Sequence, residues 1–369
     1  MFDGFFNRSK LAQANKTVLR FYTLHLASRF GVDSSTAKRR TLKRRLRSQR
    51  GVMTLHDKEK YKLKGNMRHE DFTYKQHGFV GHLAESDGGS DRAVIVIMGG
   101  EKSLLPGIKF AERFADYRIT GLAVSLFGAD GLPDSPNQIP LELFLPAVKY
   151  LRENKKISHI SVYGQSMGSI FAVLVAQYIG GMENVILVSP THVPFEGTLK
   201  DKKTMTDHSI ATWQGMDIPF VRADFSVVKA ARYQSHPAVK YRVTGMWAAF
   251  YDAYRNESNV QKAKLNVEKT GARVLLIAGQ EDEAWPSEYS ARMIKDQLNN
   301  CGYEKEVKVV LFPHGSHLTG LMPNGEREKG LYRMIPLIGL MYKTFGKYRK
   351  ENLRYFADSE QEIIQWVRK

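Results

Sequence analysis

The chain has 369 residues, a formal charge of +17, and 43% hydrophobic residues. This composition excludes a disordered chain, a collagen-like fibre and a simple coiled coil. The single cysteine, Cys301, excludes a disulfide framework and a cysteine-built zinc site, and it favours a reducing compartment.

The positive charge is concentrated at the N-terminus. Residues 1–70 contain 18 Lys and Arg against 5 Asp and Glu, with the densest run at residues 38–47. Apolar residues upstream of that run recur at helical spacing, so we predict a basic helical extension over residues 1–70. It could contact an anionic membrane surface or a protein partner, or be a solvated arm without a ligand. No aromatic residue interrupts the 38–47 run, which disfavours nucleic acid as the partner.

Targeting and membrane signals are not apparent in the sequence. It lacks a signal-peptide pattern at its start and any run of the roughly 18 apolar residues needed to cross a bilayer. We therefore expect a cytoplasmic protein, either free or peripheral to a membrane.

From residue 71 onward, short β-branched runs alternate with helical stretches, which predicts an α/β fold with a mostly parallel central sheet and helices on both faces. An antiparallel edge hairpin is expected within residues 72–82. The six clear strands that follow are Ala93–Met98, Gly121–Leu126, Ile160–Tyr163, Val185–Val188, Val274–Ala278 and Val307–Phe312.

The helices predicted between these strands occupy residues 141–153, 169–179 and 288–299. A capping-box pattern at Ser359 predicts the start of a last helix. Residues 191–268 break the alternation. They are aromatic-rich, and we interpret them as a cap or lid over the carboxyl edge of the sheet, inside a catalytic domain that spans residues 71–369. The aromatic residues that could line an acyl pocket there, or fill an ordinary core, are Trp213, Phe220, Tyr241, Trp247, Phe250 and Tyr251.

The strongest motif for chemistry is G-x-S-x-G at residues 164–168. It follows a predicted strand and precedes a predicted helix, which is the context that this motif requires. The sharp turn would project the hydroxyl of Ser166 above the sheet, at a helix N-terminus that favours developing negative charge. We therefore predict Ser166 as a nucleophile, the alternative being a structural serine in a Gly-rich junction.

A serine nucleophile needs a base and an acid that orients the base, and both are expected in loops after later strands. Asp282, after the strand ending near residue 278, is the predicted acid, and Glu281 and Glu283 are competitors that we expect to be solvated. His317, after the strand ending at residue 312, is the predicted base, with His314 as its rival.

An oxyanion hole needs two backbone donors. The N–H of Met167 follows the nucleophile directly, and the second donor is expected at Gly100 or Glu101, in the loop after the first parallel strand. His192 also lies near the carboxyl edge and could contact the substrate.

Several segments around these residues share the pattern of a known family. They are Ile139–Phe144 with Ala147, Tyr150 and Leu151; Tyr163–Gly168; Val267–Lys269 with Val274–Gly279; Gly279–Glu288; and Pro313–His317. Through these segments, residues 90–325 resemble the C-terminal catalytic domain of acyl-CoA thioester hydrolases and bile-acid-CoA:amino-acid N-acyltransferases, a dienelactone-hydrolase-like branch of the α/β-hydrolase superfamily.

This resemblance implies an α/β-hydrolase fold and places the nucleophile, acid and base on Ser166, Asp282 and His317. It also makes Trp285, in the acid loop, a candidate for substrate contact. Amide-forming members of the family tend to use a cysteine nucleophile, so the serine here favours transfer of the acyl group to water.

The sequence therefore predicts a serine hydrolase that cleaves an acyl thioester or ester through an acyl-enzyme on Ser166, without a metal or cofactor. A carboxylesterase or peptidase unrelated to CoA is the alternative within the same fold. A different class of function would be a non-catalytic interaction protein that keeps a hydrolase-like shell and acts through its basic arm.

Overall fold

The computed structural model describes residues 67–200, 204–223, 246–320, 339 and 342–369. The predicted basic helical extension lies outside the described residues, except for its last four residues, which begin the first strand. Among the residues described, no helix is long and apolar enough to cross a membrane.

The described strands are β1 (Met67–Phe72), β2 (Gly81–Ser86), β3 (Arg92–Ile97), β4 (Thr120–Val124), β5 (Ile139–Pro140), β6 (His159–Gln165), β7 (Met182–Val188), β8 (Glu196–Thr198), β9 (Met205–Ser209), β10 (Ala211–Trp213), β11 (Met216–Asp217), β12 (Arg273–Gly279) and β13 (Val307–Phe312). The helices are α1 (Tyr74–His77), α2 (Leu105–Asp116), α3 (Phe144–Glu153), α4 (Gly168–Tyr178), α5 (Met246–Tyr254), α6 (Glu257–Ala263), α7 (Ser287–Asn300), α8 (Lys343–Lys347) and α9 (Arg349–Arg368). Short 3₁₀ segments precede α3, at Leu141–Leu143, and β12, at Val267–Thr270.

Eight strands form one sheet in the order β1-β2-β4-β3-β6-β7-β12-β13. The pairs β1–β2 and β2–β4 are antiparallel, and every other neighbouring pair is parallel. The predicted α/β class with a mostly parallel sheet is thereby confirmed. The predicted edge hairpin is present, but its two strands lie further apart along the chain than residues 72–82, which mostly form the connection between them.

The parallel strands are apolar almost throughout because both faces of the sheet are covered. Val94 and Val96 face a core that includes α2 and the end of α9. Ile95 and Ile97, which point the opposite way, join a larger core with α3, α4 and α7. This alternation explains why continuous Val/Ile/Leu runs in the sequence located all six predicted strands.

The described residues of the insertion between β7 and β12 contribute no strand to the main sheet. Its short strands form two small sheets, and in one of them β10 pairs with β5. The helices α5 and α6 follow. Trp213 packs on Tyr178 of α4, and Phe250 packs on Trp285 with ring centroids 5.5 Å apart. Tyr241 lies outside the described residues.

One predicted helix start is wrong, and one helix was not predicted. The last helix begins at Arg349, ten residues before Ser359, so Ser359 is a buried interior residue and not an N-cap. The capping signature failed because the helix already runs through residues 349–358, where Asn352 is buried and hydrogen-bonded to backbone of residues 314 and 316. Helix α2 was not predicted. Its apolar start is interrupted by Pro106, which occupies the first turn, where its missing N–H costs nothing.

Candidate active site

The turn between β6 and α4 holds Ser166 in the left-handed backbone region, with φ of 58°. A side chain on Gly164 would collide with the carbonyl oxygen of Gly168, and one on Gly168 would collide with that of Ile97. Only glycine therefore permits this tight strand–turn–helix crossing. It places the serine at the N-terminal end of a buried helix, as the motif predicts.

The acid and the base lie at the carboxyl ends of neighbouring strands. Gly279, the last residue of β12, is in register with Phe312, the last residue of β13, so the loops that follow emerge side by side. Asp282 and His317 lie in these loops, and both side chains are buried.

The structure brings the three predicted side chains into one line. Nε2 of His317 lies 2.8 Å from Oγ of Ser166, and Nδ1 lies 2.8 Å and 3.0 Å from the two carboxylate oxygens of Asp282. Because a carboxylate only accepts hydrogen bonds, the Nδ1 proton belongs on the Asp282 side, which leaves Nε2 to accept the proton of Ser166. This arrangement can move a proton off the serine hydroxyl.

Electrostatics favour the charged form of the imidazole. Burial alone would lower the pKa of His317, but the charge and hydrogen bonds of Asp282 outweigh it, and Glu283 and Glu101 add to the effect, so the pKa is raised. Asp282 itself is oriented by the backbone N–H groups of Ala284 and Trp285, which donate to Oδ1 at 2.8 Å and 3.2 Å.

The loop after β3 lies directly against the nucleophile. A Cβ built on Gly99 would lie 2.9 Å from Cβ and 3.2 Å from Oγ of Ser166, and 3.3 Å from Oε2 of Glu101. A Cβ on Gly100 would meet no heavy atom within 4 Å, so this residue borders open space. Together with Met167, which is buried beside the serine, the loop brings the backbone predicted to receive an oxyanion next to the nucleophile.

Trp285 packs behind the imidazole. Its ring meets that of His317 edge to face, with centroids 5.1 Å apart, and its indole N–H donates to the carbonyl oxygen of Ser189 at 3.0 Å. Phe195 and Phe250 of the insertion also pack on it, with ring centroids 5.8 Å and 5.5 Å away. In this position Trp285 supports the wall of the site, and its predicted contact with substrate stays a prediction.

His192 is buried, and its partners are other residues than Ser166, Asp282 and His317. Its Nδ1 pairs with Oγ of Ser290 at 2.9 Å, and its ring packs edge to face on Tyr254 and Tyr289. Burial lowers its pKa to about 4, so the ring is neutral at physiological pH. No hydrogen bond within the described residues joins it to the line of Ser166, and a role in binding substrate stays a prediction.

The competing acids and the competing histidine have partners of their own. His314 pairs with Glu281 at 2.5 Å and stacks on the ring of Tyr348. Glu283 is buried and hydrogen-bonded to backbone, so the expectation that it is solvated is wrong. Burial, followed by the charge of Asp282, raises the pKa of Glu283 to about 7.

Comparison with known proteins agrees with the resemblance read from the sequence. Residues 139–321 match the model of the family described as BAAT / acyl-CoA thioester hydrolase C terminal. Human acyl-coenzyme A thioesterase 6 is 22% identical over 211 residues, which cover 56% of this chain and 44% of the relative. Acyl-coenzyme A thioesterase 1 of Rattus norvegicus is 24% identical over 217 residues, 58% of this chain and 44% of the relative. The chain thus spans less than half the length of these curated relatives.

Among solved structures, an acylaminoacyl peptidase from Pyrococcus horikoshii aligns with a TM-score of 0.43 at 15% sequence identity, over 70% of this chain and 38% of the other. Two features of this structure define the α/β-hydrolase fold. The sheet has two antiparallel steps at one edge, and the serine turn lies between a central parallel strand and a buried helix. Within that superfamily, residues 139–321 are similar to the BAAT / acyl-CoA thioester hydrolase C-terminal family.

Proposed function

We propose that this protein is a serine hydrolase that cleaves an acyl thioester, or an ester, through an acyl-enzyme on Ser166. The observation that carries the proposal is the hydrogen-bonded line from Ser166 through His317 to Asp282. The family match supports an acyl-CoA thioester as the substrate class, because the curated relatives are named for that activity.

In the first half-reaction, Oγ of Ser166 attacks the carbonyl carbon while its proton moves to Nε2 of His317. Asp282 holds the imidazole and stabilises its charge. The N–H of Met167 and an N–H of the loop 99–101 would receive the oxyanion. Collapse of the tetrahedral intermediate breaks the carbon–sulfur or carbon–oxygen bond, and His317 returns the proton to the leaving thiolate or alkoxide.

In the second half-reaction, His317 takes a proton from water as the water oxygen attacks the acyl-enzyme. The bond to Oγ of Ser166 then breaks, the serine regains its proton, and the carboxylic acid leaves. Every step uses water and side chains or backbone groups of this chain, so the proposed reaction calls for no metal or cofactor.

Domain organisation and location enter the same proposal. Residues 71–369 would form the catalytic domain, with the insertion at 191–268 as a cap over the site; the packing of Phe250 on Trp285 supports this. The positive charge of residues 1–70 supports contact with an anionic membrane surface or a protein partner. We propose the cytoplasm as the location of the protein.

The test of the enzyme assignment is active-site labelling. A fluorophosphonate probe should label the wild-type protein and fail to label Ser166→Ala, with Ser169→Ala, a serine three residues on in α4, as the matched control. Labelling that persists in Ser166→Ala would identify a different nucleophile, and no labelling of the wild type would favour a non-catalytic shell. A panel of acyl-CoA thioesters and p-nitrophenyl esters of equal chain length then decides between a thioesterase and a CoA-independent carboxylesterase.

A further inference from the structure

A buried carboxylate next to the predicted acid makes three hydrogen bonds to backbone. Oε2 of Glu283 accepts the backbone N–H of His317 at 3.1 Å. Oε1 accepts the backbone N–H groups of Thr344 at 2.8 Å and of Phe345 at 3.3 Å. Only 3% of Glu283 is exposed. A buried carboxylate is costly unless it is fully hydrogen-bonded, and here the partners are the histidine loop (residues 313–317) and the start of α8.

Asp282 and Glu283 therefore hold the same histidine at two different points. Asp282 bonds the imidazole at Nδ1, whereas Glu283 bonds the backbone from which that side chain extends. On the other side of the residue, Oγ of Ser189 donates to the carbonyl oxygen of His317 at 2.7 Å. With its N–H and its C=O both fixed, the Cα–Cβ bond of His317 has a defined direction toward Ser166.

A second buried side chain continues the connection to the C-terminal helices. Asn352 of α9 accepts the backbone N–H of Ser316 at 2.9 Å and donates to the carbonyl oxygen of His314 at 2.9 Å. The histidine loop is thus bonded on one side to α9 through Asn352 and on the other to α8 through Glu283.

We propose that Glu283 is a positioning residue for the base: by accepting the backbone N–H of His317 together with those of Thr344 and Phe345, it fixes the histidine loop against the C-terminal helices and sets the distance from Nε2 to Ser166. The inference rests on the proposed hydrolase function. It assigns Glu283 no contact with substrate. Removing the carboxylate would leave three buried N–H groups unpaired and free the loop to shift.

The test compares Glu283→Ala and Glu283→Gln with Glu281→Gln, a carboxylate two residues earlier on the same loop whose partner is His314. A shift of about 1 Å in a catalytic group can cost roughly 100-fold in rate. We therefore expect kcat to fall by about 10- to 100-fold in Glu283→Ala, with KM within about threefold of wild type. Glu283→Gln keeps one acceptor oxygen and should lie between the two, whereas Glu281→Gln should keep the wild-type kcat.

An NMR measurement on the full chain separates this inference from the enzyme assignment. In the wild type, the Nδ1 proton of His317 bonded to Asp282 should give a low-field resonance, and that resonance should broaden or move upfield in Glu283→Ala and to a smaller extent in Glu283→Gln. If the wild type neither labels with fluorophosphonate nor turns over esters and thioesters, the hydrolase proposal fails, and the resonance alone decides the positioning role.

An unchanged resonance with unchanged kcat in Glu283→Ala would overturn the inference while leaving the hydrolase intact. So would an equal loss of kcat in Glu281→Gln, because the effect would then belong to the loop as a whole. If Glu283→Ala does not fold, Glu283→Gln carries the comparison, and wild-type values of both kcat and the resonance in that variant would refute the positioning role.

Discussion

Gly279 ends β12 against the histidine loop, and replacing it with alanine should push that loop away from the nucleophile. A Cβ at this position would lie 2.5 Å from both the carbonyl carbon of Gly315 and the carbonyl oxygen of Ser316, and closer still to the carbonyl oxygen of Gly315. All of these are backbone atoms, so a side-chain rotation cannot relieve the overlap. The loop that carries His317 must move instead.

The size of the movement follows from those distances. Raising 2.5 Å to the 3.0 Å that real Cβ contacts respect needs at least 0.5 Å, and reaching an ordinary contact at 3.4 Å needs at least 0.9 Å, because the carbonyl oxygen of Gly315 is closer still. If the loop moves by this amount along the hydrogen bond between His317 and Ser166, the 2.8 Å distance from Nε2 to Oγ becomes about 3.3–3.7 Å. This is beyond the usual hydrogen-bond range. We expect kcat to fall by about 10- to 100-fold. The overpacking should cost about 1–3 kcal/mol in the free energy of unfolding.

The assay is steady-state hydrolysis of a p-nitrophenyl ester with thermal unfolding measured in parallel. Gly302→Ala is the matched control: it has open space around its Cβ but a φ of 67°, so alanine should cost about 1–2 kcal/mol without touching the histidine loop. We expect a lower Tm in both variants and a lower kcat only in Gly279→Ala. A Gly279→Ala protein with a lowered Tm and the wild-type kcat would refute the link from this contact to the position of His317.

Three further predictions address other parts of the molecule. Asp282→Asn should lower kcat for the ester by roughly 10³- to 10⁴-fold, because the imidazole loses its orienting charge, and a rate within tenfold of wild type would point to another acid. Glu101→Gln removes a carboxylate that raises the pKa of His317, so the acid limb of the kcat/KM profile should move to lower pH, and a shift to higher pH would contradict this. The full chain should co-sediment with anionic liposomes in a salt-sensitive way, whereas residues 67–369 alone should not. Equal sedimentation by both would remove the membrane hypothesis.

The sheet could be predicted from the sequence because burial on both faces leaves a clear local signal. Strand β13 begins and ends at the predicted residues 307 and 312. Strand β12 extends one residue beyond the predicted 274–278 at each end. The antiparallel edge was harder to locate. Its first strand carries polar residues that interrupt any apolar run: Arg68 and Asp71 are exposed, and Glu70 is half-buried and accepts a hydrogen bond from Tyr150.

The candidate site could be predicted only as far as its parts are local. The turn at Ser166 follows from five consecutive residues, since both glycines are required by backbone contacts within that turn or with the strand beside it. The choice of Asp282 among three neighbouring carboxylates depended on the geometry expected of the loop. The burial of Glu283 gave no sequence signal, because its partners at residues 344 and 345 lie 61 and 62 positions away.

The family model matches residues 139–321 only, and this limit bears on which substrate the protein prefers. Ser166, Asp282 and His317 all lie inside the matched residues 139–321, whereas the loop at 99–101 lies before that segment and α8 and α9 lie after it. The three side chains proposed to carry out proton transfer therefore lie in the segment that the family model covers. The loop that brings a carboxylate close to Ser166 and the helices that hold the histidine loop lie outside the residues that the family model matches. If acyl preference differs between this protein and those relatives, the difference should follow these flanking segments. Exchanging the loop at 99–101 should then change kcat/KM between acyl chains without abolishing labelling of Ser166.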